Sequence, residues 1–193
     1  MGRPSDRRFV GRALAGCPRT VVVGLGNPVL GDDGVGWCVA DAVEEWLRAA
    51  AAAGLELPPV AVERLGVGGL RLMEFLTGFD EAIVVDAADF AERPAGEVRA
   101  RRFEELERRA VGRLDSVHDV SLAAALELGR RAGAELPATI WVVTVVARMT
   151  GVFSEALTPP VEAAVPIAAG EVVRLLGLPR ADDWPIPHGP GGG

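Results

Sequence analysis

A glycine-framed stretch, Gly24-Leu25-Gly26-Asn27-Pro28-Val29-Leu30-Gly31-Asp32-Asp33-Gly34-Val35-Gly36, sets two adjacent carboxylates between a β-branched run and a helical pattern. Asp86 ends a second apolar run, Ala82-Ile83-Val84-Val85-Asp86, and Asp89 follows shortly after. Of the 2 histidines, His188 lies in the run Pro187-His188-Gly189-Pro190, so imidazole chemistry inside a fold falls to His118. One aspartate from the first loop, one from a strand end and one histidine at a helix start make a mixed oxygen and nitrogen donor set. Such a set leaves positions open for substrate or water, and it suits zinc, iron or nickel better than copper(I).

Each of these residues also has a purely structural explanation. Asp32 and Asp33 both fit the start of a helix, where carboxylates cap amides and favour the positive dipole end; one would suffice. Asp86 reads equally as a turn former, and Asp89 as a loop residue. His118 follows Ser116 in a capping-box pattern, where the dipole keeps the ring neutral and able to bind a metal. A lone histidine is more often a surface or satisfied-core residue, and spacing alone leaves both readings open.

Composition removes many other chemistries. All 20 basic residues are arginine, so neither a Schiff-base lysine nor a Walker-type lysine exists. The first loop departs from GxGxxG because Val29 stands at the third glycine, and its paired carboxylates would repel a pyrophosphate. HExxH, GxSxG and a Cys-His nucleophile arrangement are missing. Cys17 and Cys38 form neither a CxxC pair nor a framework of bridges, which fits a reducing compartment. A net charge of −7 argues against nucleic-acid binding. Arg7-Arg8-Phe9-Val10 resembles a twin-arginine signal, but Arg12, Pro18 and Arg19 interrupt the apolar segment it would need. With no apolar run of about 18 residues there is no membrane insertion, and a cytoplasmic protein is expected.

The elements that would position these residues alternate. Strands are predicted at 20–26, 60–64, 82–86 and 139–146, with 97–103 as an edge strand. Helices are predicted at 34–53, 69–76, 104–109, 116–131 and from Thr158 to about Leu176, the last kinked or restarted at Pro166. Alternation of this kind implies an α/β fold with a mainly parallel sheet and helices on both faces. A site is then expected beyond the carboxyl ends of the strands. Residues 1–19 read as a flexible arm, 20–178 as one α/β domain, and 179–193 as a disordered tail rich in proline and glycine.

The first loop, taken with four further stretches, resembles the hydrogenase maturation proteases. Those stretches are Gly68-Gly69-Leu70-Arg71-Leu72-Met73-Glu74, Ile83-Val84-Val85-Asp86-Ala87, Ser116-Val117-His118-Asp119-Val120-Ser121-Leu122 and Leu157-Thr158-Pro159-Pro160-Val161-Glu162-Ala163-Ala164-Val165-Pro166. The resemblance covers roughly residues 20–176. It implies a three-layer α/β sandwich and an endopeptidase that trims the C-terminus of a [NiFe]-hydrogenase large-subunit precursor after nickel insertion. It also implies that Asp33, Asp86 and His118 form the nickel-sensing, catalytic site, with the nickel presented by the substrate. One departure is Gly66-Val67-Gly68-Gly69, where many members have Gly-Thr-x-Gly. A second reading keeps the same trio in a non-catalytic, nickel-dependent checkpoint that binds the precursor. Gly-Leu-Gly-Asn-Pro also opens the peptidyl-tRNA hydrolases, but the tyrosine and early histidine of that family are absent.

Overall fold

Thr20-Val21-Val22-Val23-Gly24-Leu25 is buried along its whole length, as expected of a strand covered on both sides. A computed structural model of the chain describes residues 9–10, 17–66, 69–105, 117–148 and 153–179, without the side chains of 117–121. The strands are β1 (Phe9–Val10), β2 (Thr20–Leu25), β3 (Val60–Leu65), β4 (Glu81–Ala88), β5 (Val98–Arg102) and β6 (Thr139–Val146). The helices are α1 (Val35–Ala52), α2 (Leu70–Leu76), α3 (Val117–Arg131) and α4 (Pro159–Leu175), with a 3-10 turn at Gly31–Gly34.

The sheet runs β1-β3-β2-β4-β6-β5. Its four inner strands are parallel, while β1 and β5 pair antiparallel at the two edges. Alternation along the strands builds two cores. Val22, Ile83, Val85 and Val143 pack with Val39, Val43 and Leu47 of α1 and with Val161, Ala168 and Val172 of α4. Val21, Val23, Val84 and Val142 pack on the opposite face with Leu72 and Leu76 of α2 and Leu122 and Leu126 of α3. The result is the expected three-layer α/β sandwich with helices on both faces.

One expectation needs revision. Phe9 and Val10, read as part of a flexible arm, pair with Ala61 and Val60 at the sheet edge. Such a pairing depends on a partner about fifty residues away and leaves no local periodicity in two residues. The last helix is present as α4, Pro159–Leu175, which continues through Pro166 rather than restarting there. Pro166 and Glu162, whose carbonyl loses its intrahelical donor, are both exposed, so water replaces the bond. The predicted edge strand is present as β5. Most of the predicted 104–109 helix, the Ser116 cap, residues 1–8 and 11–16 of the arm, and residues 180–193 of the tail lie outside the described residues.

Candidate active site

The chain crosses from β2 to β3 on one side and from β3 to β4 on the other, so the strand order reverses between β2 and β4. A crevice forms at such a switch point, beyond the carboxyl ends of the strands. The turn leaving β2 is pressed into it. A side chain on Gly36 would come within 2.7 Å of the Val85 carbonyl oxygen, and one on Gly26 would strike the Asp33 backbone. Glycine at these positions lets α1 begin directly on the ends of β2 and β4, carrying the two aspartates with it.

The adjacent carboxylates have separate roles. Asp32 is buried, and its two oxygens accept hydrogen bonds from the Thr158 amide (2.6 Å) and hydroxyl (2.8 Å). Thr158 is the residue before α4, so Asp32 fastens the first loop to the start of the last helix. Asp33 is only partly buried, and its Oδ2 accepts the Asn27 amide at 2.7 Å. Its Oδ1 has no donor among the described residues.

Asp86 is 4% exposed, and its Oδ1 accepts the Ala87 amide at 2.9 Å. Alternation with Ala82 and Val84 turns it toward the face covered by α2 and α3. Asp89, the local alternative, is paired with Arg148 Nη1 at 2.7 Å, with both side chains about 40% exposed. Arg148 also donates to the Phe90 carbonyl at 2.8 Å, so it holds the loop that follows Asp86. Sequence reasoning missed this residue. The available signal was a single arginine two positions past the end of a strand, at the edge where a site was expected.

The backbone of His118 lies in the first turn of α3. Its side chain, and therefore its distance from either aspartate, lies outside the described residues. The far end of α3 fixes the direction of the helix. The Gly78 amide donates to Glu135 and the Ala138 amide to Asp80, at the amino edge of the sheet. At 1.5 Å per residue, the first turn of α3 is then about 20 Å away, toward the carboxyl edge. That edge also holds the 3-10 turn, which contacts β4. Among the described residues no three His, Cys, Asp or Glu side chains gather as a metal cluster.

A thiol nucleophile is disfavoured. Cys17 and Cys38 are unpaired, and burial, aided by Asp41, pushes the Cys38 thiol up, away from the reactive thiolate.

Residues 49–175 match the family model for hydrogenase maturation proteases, HycI. The chain belongs to this family. The match includes Asp86 and His118 and begins after Asp33. Solved structures extend the likeness over a larger share of the chain. The hydrogenase maturating endopeptidase HybD from E. coli is 28% identical, with a TM-score of 0.65, covering 85% of this chain and 99% of that one. An endopeptidase from Escherichia coli, solved in solution, is 25% identical with a TM-score of 0.64, covering 86% and 99%. A hydrogenase 2 maturation peptidase from Thaumarchaeota archaeon SCGC_AB-539-E09 is 26% identical with a TM-score of 0.56, covering 83% and 99%. No curated protein sequence matches significantly. As a hydrogenase maturation protease, the chain is a peptide-bond hydrolase. No helix among its described residues is long and apolar enough to cross a membrane.

Proposed function

We propose that the chain removes the C-terminal extension of a [NiFe]-hydrogenase large-subunit precursor after nickel has been inserted, with Asp33, Asp86 and His118 meeting the nickel that the precursor carries. The observation that carries this reading is the common edge. The Asp33 turn and Asp86 flank the switch point between β2 and β4, and the direction of α3 brings His118 toward the same edge. Two carboxylates and one imidazole suit nickel and leave room for ligands supplied by the substrate. Nickel in the precursor would polarise the scissile carbonyl. The protease contributes orientation and a base. Asp33 has a carboxylate oxygen available for a proton from the attacking water, and Asp86 sits in a drier position. The two free cysteines fit the reducing cytoplasm, where such a precursor would be met.

The test incubates purified protein with nickel-loaded and nickel-free precursor and measures the released peptide by mass. Release from the nickel-loaded form alone is expected. Asp33→Asn, Asp86→Asn and His118→Ala should each slow it by about a hundredfold or more. Normal nickel-dependent release by His118→Ala would overturn the assignment, and tight binding without release would leave only the checkpoint role.

A further inference from the structure

Five large apolar side chains are strongly exposed among the described residues: Val29, Leu70, Leu128, Phe153 and Ile167. Val29, Leu70 and Phe153 belong to loops or first turns at the carboxyl edge, where the candidate site lies. Phe153 is 82% exposed, and the residue that follows it is pinned to the first loop. Leu30 and Ser154 form a parallel bridge, in which the Gly31 amide donates to Ser154 at 2.6 Å and the Ser154 amide to Val29 at 3.1 Å. The Ser154 hydroxyl closes its own turn through the Ala156 amide at 3.1 Å, and the Asp32–Thr158 clamp follows.

The Ser154 amide on the Val29 carbonyl brings the backbones of Val29 and Phe153 together, with both side chains exposed. An aromatic side chain held in water beside a pinned residue forgoes the gain from burial. Aromatics of this kind typically act as binding anchors. The occupant follows from the chain itself. Val29 is four residues before Asp33 in the same turn, so a polypeptide cut at Asp33 has residues flanking its scissile bond within reach of the pair.

We infer that Val29 and Phe153 seat an apolar side chain of the precursor beside the scissile bond and so determine substrate specificity. This inference rests on the proposed function above. The experiment measures kcat and KM for peptide release from the nickel-loaded large-subunit precursor, together with equilibrium binding of the same precursor. Phe153→Ala should raise KM roughly tenfold and weaken binding to match, with kcat changed by less than about twofold. Val29→Ala should act in the same direction, and Phe153→Leu should restore most of the loss. Leu128→Ala removes an exposed leucine from α3 and should change neither parameter. An unchanged KM in Phe153→Ala, or an equal rise in Leu128→Ala, would overturn the inference. If the wild type releases no peptide, the protease reading fails on its own. Precursor binding then still decides: a tenfold loss in Phe153→Ala supports the apolar seat, and equal binding overturns it.

Discussion

Asp32 and Asp33 are chemically identical neighbours with opposite consequences on substitution. Asp32 gives both oxygens to Thr158, 126 residues away, and is nearly closed to water. Asp32→Ala should therefore lower stability by about 1–3 kcal/mol, the usual loss on removing hydrogen bonds to a charged group, as read by urea denaturation. Asp33→Asn can still accept the Asn27 amide through its side-chain oxygen, so its fold should be retained while peptide release falls. Equal destabilisation by the two changes would contradict this division. Sequence could not make it, because both residues fit a helix start and Thr158 is remote in the chain. The resemblance picked Asp33 by motif, and the hydrogen bonds give Asp32 a structural role of its own.

Glycine 36 shows how one element is seated on another. Helix propensity alone favours Gly36→Ala by about 1 kcal/mol, since α1 continues through this position. The added Cβ, however, would lie 2.7 Å from the Val85 oxygen and 2.8 Å from the Leu25 nitrogen, and backbone cannot swing aside as a flexible side chain does. Overpacking of this kind typically costs about 3 kcal/mol, so the clash should win, with a fall in Tm of roughly 4–8 °C. Gly170, inside α4, has nothing within 4 Å of its added Cβ. Gly170→Ala should instead raise stability by about 0.5–1 kcal/mol. Opposite shifts in thermal melting check the pair, and a gain from Gly36→Ala would refute the packing argument. The inner strands and α1 were legible in sequence because their periodicities are local and strong. The Phe9–Val10 pairing was not, since it depends on a distant partner.

Across the whole molecule the two edges of the sheet divide the work. At the amino edge, the Arg19 amide and guanidinium donate to Asp80 at 2.7 and 3.3 Å, and the Asp80 carbonyl accepts from Ala138, joining the starts of β2, β4 and β6. The Arg19 backbone bond first, and its side chain second, hold the Asp80 carboxyl below its ordinary value of 3.8. A depressed folded pKa stabilises the protein fully above the unfolded value, and that gain is lost as pH falls below about 3.8 through the folded value. Because both side chains are about half exposed, the gain is no more than about 1 kcal/mol. Asp80→Asn should thus cost little at neutral pH, flatten the acid limb of stability against pH, and leave peptide release unchanged. Asp32→Ala, at the working edge, should impair release as well as stability, because it frees the loop that carries Asp33 and braces Phe153. From Asp80 to Asp86 the strand rises roughly 20 Å, so the two sites share no partner. The stability losses of Asp80→Asn and Asp32→Ala should then add to within about 0.5 kcal/mol in the double variant. Strong coupling between them would mean that the sheet transmits strain from its amino edge to its carboxyl edge.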